Sequence, residues 1–525
     1  MTKSQCHDDR VPSLQKAIAV GAVLLTFATA CSGSNAAQTS PSESPQPTRA
    51  PQAAPPPPQR PDTGLPPKQA PDAVPAFDFA EVSRLINDAI AGDRLPGAVV
   101  VIGHGGKVVF RQAYGERKLA GEPGLEGSPG PAEPMTEDTI FDLASLTKVL
   151  ATAPAVMQLY EQGKVQFDDA VQNYLPEFNT ANDPQRARVT VRMLLTHTSG
   201  ETGDVELKDP WGLDRADKGE GIHRALTTPL ESSPGEVFRY SDINFILLGA
   251  LIEKITGEAE DAYVQQNVFE PLGMEDTRYL PAAEACGPHT IRGAAIAWAP
   301  APSGRALVGC PAGKWSASLL SRIAPTAHDD EGRADPSKNP DLDYLLRGTV
   351  HDTTTRRMGG VAGHAGVFST AQDVSVYAQA LLDRLAGRPS EFPLKQATLE
   401  LMTTPEQPGH TAEQVEAANG AAREAVAQRP NPTDPLLAPH YPAIRGQNLR
   451  GFGWDIDTPQ SVPRGMIFPV GSFGHTGFTG TSLWMDPGSD TYVVLLANSI
   501  HTRGSPPMSN LRGEVATATA RALGI

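Results

Sequence analysis

The chain has 525 residues, with 44 Lys+Arg against 60 Asp+Glu and a formal net charge of -16. A surface that acidic repels phosphate backbones and argues against a nucleic-acid partner. With 39% hydrophobic and 20% charged residues, the composition is that of a globular protein with some biased segments, long enough to bury a core around a catalytic site.

Lys3, Arg10 and Lys16 precede or open an apolar run, residues 17–30, that ends in small residues and is too short for a comfortable membrane span. Residues 1–30 therefore read as an export signal. The stretch Phe27-Ala28-Thr29-Ala30-Cys31 resembles a bacterial lipoprotein cleavage site. That likeness implies lipidation of Cys31 and a membrane-anchored protein facing the periplasm or the cell exterior. An ordinary secretory peptide cut nearby would leave Cys31 incidental. Residues 31–76 are rich in Ser, Ala, Gln and Pro, including Pro55 to Pro58, and predict a disordered spacer.

The folded part is predicted over 77–525. Phe79, Val82, Leu85, Ile86 and Ile90 recur at helical spacing, so 78–92 should form an amphipathic helix. Two strands follow, 97–103 and 107–110, around a Gly105-Gly106 turn. From Ser145 to Tyr160 the periodicity is helical, with Pro154 expected to kink or break the helix. Near the C-terminus, 481–485 and 491–496 read as strands around Asp486-Pro487-Gly488, and a helix closes the chain over 511–523. The expected architecture is α/β in the α+β sense: one sheet completed by both ends of the domain, flanked by helices, with a helical region inserted. Residues 404–446 are polar and turn-rich and predict a long surface excursion. Cys286 and Cys310 are the pair left for a disulfide in an export compartment. No His/Cys cluster at zinc spacing accompanies them, so neither metal nor cofactor is expected.

The chemistry-bearing residues begin with Ser145-Leu146-Thr147-Lys148, an S-x-x-K element at the start of a predicted helix. Residues three apart share a helix face, so Lys148 can reach the Ser145 hydroxyl. The helix N-terminus would favour a developing negative charge. Alone the motif is weak: Ser13-Leu14-Gln15-Lys16 matches it inside the leader, and a helix N-cap explains Ser145 equally well. What lifts it is order along the chain. Tyr240-Ser241-Asp242 follows before an apolar run, and His475-Thr476-Gly477 precedes the C-terminal strands. His351, Asp352 and His364 cluster around Gly359-Gly360 at a spacing that fits no common zinc pattern, and read as a loop beside the active site.

The ordered set S-x-x-K, Y-x-N-like and K/H-T-G resembles the serine β-lactamase and penicillin-binding protein superfamily, in its class C-like branch. Phe141 to Ala144, Leu194 to Gly200 and Gly363 to Thr370 are similar too. The resemblance covers 78–525, less 283–322 and 404–446, which look like insertions. It implies a β-lactamase/transpeptidase-like fold and a covalent serine hydrolase. Ser145 would be acylated, and Tyr240 would shuttle its proton. Lys148 would supply the positive charge that favours the tyrosinate, and the N–H groups of Ser145 and Phe478 would form the oxyanion hole. His475 would complete the catalytic set, and Asp242, Thr476 and Gly477 would contact substrate, the glycine by letting substrate backbone approach.

Two departures bear on substrate. His475 replaces the usual lysine and is mostly neutral at pH 7, and Asp242 replaces an asparagine and cannot donate to a substrate carbonyl. Both argue against a dedicated β-lactamase. The expected function is an exported esterase or D-amino-acid or peptide hydrolase acting on small ester, amide or peptide substrates. The alternatives are a D,D-carboxypeptidase or weak β-lactamase, and a binding lipoprotein that acylates without turnover.

Overall fold

Ala98 to Ile102 is fully buried, which is why it reads as an unbroken apolar run rather than an alternation. It lies in the strand Gly97–His104, which turns at Gly105-Gly106 into Lys107–Lys118. Both turn glycines have positive φ, 58° and 76°, a conformation that costs glycine little. On its other edge Gly97–His104 pairs with Thr491–Ala497, placing Ala98 opposite Ala497 and His104 opposite Thr491. This computed structural model describes residues 77–298, 310–331, 333, 335–339, 342–406, 413, 448–505 and 507–525. The predicted leader, Cys31, the spacer and nearly all of 404–446 lie outside the described residues.

The main sheet has eight strands in the order Leu449–Arg450, Asp455–Asp457, Phe473–Thr476, Ser482–Asp486, Thr491–Ala497, Gly97–His104, Lys107–Lys118 and Glu133–Pro134. Every pairing is antiparallel, so the two ends of the domain complete one sheet, as the sequence predicts. One face buries Ala98, Val100 and Ile102 against the helices Ala80–Ala91 and Ser509–Leu523. The other buries Val99 and Val101 in the larger core with Val374 and Tyr377 of helix Ala371–Leu385. That larger core continues into the inserted helical region, whose central helix Asp242–Thr256 is buried at every position from Ile243 to Ile252.

A smaller sheet, Ile140–Asp142 with Val367–Thr370 and Arg278–Tyr279, ends three residues before Ser145. The described part of 283–322 carries its own core. Trp315 is 2% exposed, donates its Nε1–H to the Pro281 carbonyl at 2.8 Å and packs with Ile296, Leu320, Ile323 and Val350. Cys286 and Cys310 are disulfide-bonded there, with Cα atoms 5.8 Å apart.

The helix predicted from Ser145, with a kink or break expected at Pro154, is built of three pieces. A 3-10 turn spans Ala144–Leu146, a π-helix Lys148–Thr152, and the α-helix only Ala153–Glu161, with Pro154 in its first turn. Proline has no N–H to continue the ladder, so the backbone widens before it and the regular helix starts there.

Candidate active site

The segment bearing Ser145 is held in a costly conformation. Ala144 has φ +47°. Apart from it and His197, at φ +58°, every described non-glycine residue with positive φ is Asp or Asn. Alanine in the left-handed region is strained by about 1 kcal/mol and persists only when its surroundings fix it. Here they do. Ala144 N–H donates to Asp142 Oδ1 at 3.0 Å, and Leu143 N–H to the Val367 carbonyl at 2.9 Å. The hydroxyls of Thr479 and Thr481 donate to the carbonyls of Asp142 and Leu143 at 2.7 and 3.0 Å. The turn after His475-Thr476-Gly477 is thus latched directly onto the backbone before Ser145.

Lys148 is fully buried. Its Nζ donates to Ser145 Oγ at 2.9 Å, Asp242 Oδ1 at 2.6 Å and the His364 carbonyl at 3.1 Å, one acceptor for each ammonium proton. Burial works against the charge, but Asp242 and Tyr240 outweigh it and hold the ammonium above the usual lysine range. Tyr240 places its ring 4.9 Å from that Nζ and stacks on His197 at 4.4 Å. Burial, and then the Asp242 charge, pushes the phenol above its ordinary value despite the opposing pull of Lys148. Lys148 favours the tyrosinate, as the sequence argument has it, but burial and Asp242 outweigh it. In the resting site Lys148 is an ammonium and Tyr240 a neutral phenol.

His197 accepts the Ser241 N–H at Nδ1, 3.1 Å away, which places its ring under Tyr240. His475 gives its Nδ1–H to the Thr476 carbonyl at 2.8 Å, leaving Nε2 as a lone-pair acceptor. Burial, with Arg450 and Lys148 nearby, pushes both imidazoles well below their ordinary range and keeps them neutral. His364 Nε2–H donates to Asp352 Oδ1 at 2.8 Å. The resulting pair keeps His364 protonated despite its burial, and holds the Asp352 carboxyl well below its usual range.

These groups line a cleft of about 510 Å³ that contains Ser145, Tyr240, Asp242, His475, Thr476 and Phe478, with Lys148 beneath its floor. Phe478 is 73% exposed at the lip and stacks on His351 at 5.9 Å. Gly477 does not serve the purpose expected of it. A Cβ there would lie 2.1 Å from Thr481 Oγ1 and 2.3 Å from the Leu143 carbonyl, so its missing side chain makes room for the protein's own backbone beside Ser145 and not for substrate. Sequence reasoning missed Asp204, a lone acidic residue in no motif, which lines the cleft beside Asp352. It also gave His197 no role, although that residue lies within the Leu194 to Gly200 stretch.

Residues 82–516 match the family model described as Beta-lactamase. An Escherichia coli (strain K12) protein named "Putative D-alanyl-D-alanine carboxypeptidase" is 28% identical over 426 residues, which cover 79% of this chain and 81% of the relative. The Bacillus subtilis (strain 168) "N-acetylmuramyl-L-alanine amidase" is 28% identical over 441 residues, covering 82% and 83%. Among solved structures, the octameric penicillin-binding protein homologue from Pyrococcus abyssi shares the fold with a TM-score of 0.53 at 20% identity, over 85% of this chain and 78% of that one. With the sheet closed from both ends and the serine, lysine and tyrosine converging on one cleft, the chain belongs to the beta-lactamase family, within the superfamily of serine β-lactamases and penicillin-binding proteins.

Proposed function

We propose that this protein is an exported serine hydrolase of the class C-like branch that forms an acyl-enzyme on Ser145 and cleaves an ester or a D-amino-acid or cell-wall peptide bond. The observation that carries the reading is the Lys148 ammonium bridging Ser145 Oγ and Asp242 at the floor of the cleft. The phenolate form of Tyr240 takes the Ser145 proton as Oγ attacks the carbonyl carbon. The N–H groups of Ser145 and Phe478 receive the oxyanion, and the Phe478 N–H has no other partner among the described residues. As the intermediate collapses, Tyr240 passes the proton to the leaving group. It then takes a proton from the water that attacks the acyl carbon, and Ser145 leaves with that proton.

A neutral His475 and an Asp242 that cannot donate suit β-lactam carboxylates and acylamide carbonyls poorly, which supports an ester or peptide substrate over penicillin. D,D-carboxypeptidase action is the second reading, favoured by the name of the Escherichia coli relative. Tethering through lipidated Cys31 is part of the proposal and rests on the apolar run and small residues before it.

Intact-protein mass spectrometry with a fluorophosphonate, a penicillin and a p-nitrophenyl ester tests the nucleophile. A one-equivalent adduct on Ser145 that disappears in Ser145→Ala is expected, together with ester turnover. No adduct from any probe would refute the hydrolase reading, and an adduct without turnover would make the protein a receptor.

The charge arrangement also sets the pH profile. Asp242 raises the pKa of both Tyr240 and Lys148, so removing its charge lowers both. If the Tyr240 phenolate is the base, kcat/KM climbs into the alkaline range, and Asp242→Asn moves the whole profile to lower pH. Ester hydrolysis from about pH 6 to about pH 11 checks this. An unmoved or upward-shifted limb would remove Tyr240 as the titrating base.

A further inference from the structure

Outside the residues that line the cleft, a second polar cluster is buried one helical step beyond Lys148. Thr152 closes the π-helix that Lys148 opens, and its Oγ1 lies 2.8 Å from Glu260 Oε1 and 2.7 Å from the Gly363 carbonyl. Thr152 and Glu260 are both buried. Gly363 directly precedes His364, whose carbonyl accepts from Lys148 Nζ at 3.1 Å. Two missing side chains make the space. A Cβ on Gly249 would lie 2.4 Å from Glu260 Oε2, and one on Gly363 would lie 2.0 Å from the Phe245 carbonyl. The carboxyl therefore sits where helix Asp242–Thr256, the π-helix and the turn before His364 come together.

A count of protons fixes the state of Glu260. The Thr152 hydroxyl carries one proton and faces two oxygens, and the Gly363 carbonyl can only accept. If Thr152 gave its proton to an ionised Glu260, its oxygen would meet the Gly363 carbonyl at 2.7 Å with no proton between them. A carboxylic acid at Glu260 satisfies both contacts: it donates to Thr152, and Thr152 donates on to Gly363. Tyr279 packs here too, but its O–H goes to the Ala362 carbonyl at 3.4 Å. The surrounding charges agree. Burial raises the Glu260 carboxyl to about 7, with Glu253 and Asp261 adding to the rise and Lys218 and Thr152 opposing it. Lys218 is itself paired with Glu253, which also accepts the Glu260 N–H at 2.9 Å.

We propose that Glu260 is a positioning residue for the Ser145 reaction, a neutral acid whose relay through Thr152 to the Gly363 carbonyl holds the turn that orients Lys148. This rests on the Ser145 hydrolase reading and adds to it a residue that acts through others. Ionisation of Glu260 would turn the Thr152 proton towards the carboxylate and release Gly363. The relay is therefore complete below neutral pH and weakens above it.

The test measures kcat and KM of the purified full chain on p-nitrophenyl acetate. Glu260→Leu and Thr152→Val should each lower kcat by about tenfold to a hundredfold with KM little changed, the scale of a misplaced catalytic group. The double variant should fall no further than either single one. Glu260→Gln keeps a neutral donor and should restore most of kcat. Its kcat relative to wild type should rise between about pH 6 and about pH 9, because only the wild-type side chain can ionise there. Infrared difference spectra of wild type against Glu260→Gln at about pH 6 should show the carbonyl band of a protonated carboxylic acid. That measurement needs neither turnover nor a folded Glu260→Leu chain. A Glu260→Gln chain as slow as a folded Glu260→Leu, additive losses in the double variant, a ratio that does not change with pH, or no carboxylic-acid band would each overturn the proposal. Fluorophosphonate labelling separates the two layers. A wild-type adduct that forms at the same rate in Glu260→Leu refutes the positioning role alone. No wild-type adduct refutes the hydrolase reading, and the infrared band still decides whether Glu260 is the neutral donor.

Discussion

Lys148→Ala should lower kcat for ester hydrolysis by about 10³- to 10⁴-fold while leaving the chain folded. The size follows from how much passes through one nitrogen. Nζ orients Ser145 Oγ at 2.9 Å, neutralises Asp242 at 2.6 Å and ties the His364 loop to the floor of the cleft at 3.1 Å. Without it, the Asp242 carboxylate faces Tyr240 with no compensating charge, and the phenol moves further from the ionised form it needs. Lys148→Arg should not rescue activity, because the site is fully buried and a planar fork cannot meet acceptors arranged around an ammonium. Steady-state kinetics with a circular-dichroism melt on each variant decide the matter. A folded alanine variant within about tenfold of wild type would show that the serine is activated some other way.

Arg356→Ala should destabilise the protein by about 3–5 kcal/mol, the cost of stranding a buried charge. Arg356 and Asp329 are each 3% exposed, and Nη2 donates to Asp329 Oδ1 at 2.8 Å and Glu331 Oε2 at 3.0 Å. Arg357 binds Glu331 as well, through Nε at 2.7 Å and through Nη2. These contacts fasten the short helix Thr353–Arg357, whose N-cap is Asp352. Asp352 Oδ1 accepts the Thr355 N–H at 2.8 Å and also holds His364, so loosening the helix reaches the cleft and activity should fall with stability. Adding Asp329→Asn to Arg356→Ala should recover part of the loss, because the stranded charge is then gone. Denaturant titration of the single and double variants measures both effects. A single-variant loss below about 1 kcal/mol would mean that water or Arg357 compensates Asp329.

The hairpin at Gly105-Gly106, the helix Ala80–Ala91 and the strands around Asp486-Pro487-Gly488 were legible in the sequence because each depends on neighbours in the chain. The same holds for Ser145 and Lys148, whose contact spans three residues. Beyond that range, sequence order suggested that Tyr240, Asp242 and His475 belong together but carried no geometry. Pro154 predicts a kink or a break, and the structure has a π-helix ahead of it, since the residue that ends a pattern does not say how the backbone widens before it.

By itself the sequence determined the family's ordered motifs, the closing of one antiparallel sheet from both ends and the identity of the Ser145–Lys148 pair. All of these are written in residue type, spacing and local periodicity. Only the tertiary structure decided that Tyr240 rests as a neutral phenol, that Gly477 makes room for Leu143, and that Asp204 and Asp352 line one cleft. Burial and the sum of nearby charges set those outcomes, and both depend on residues brought together from distant parts of the chain.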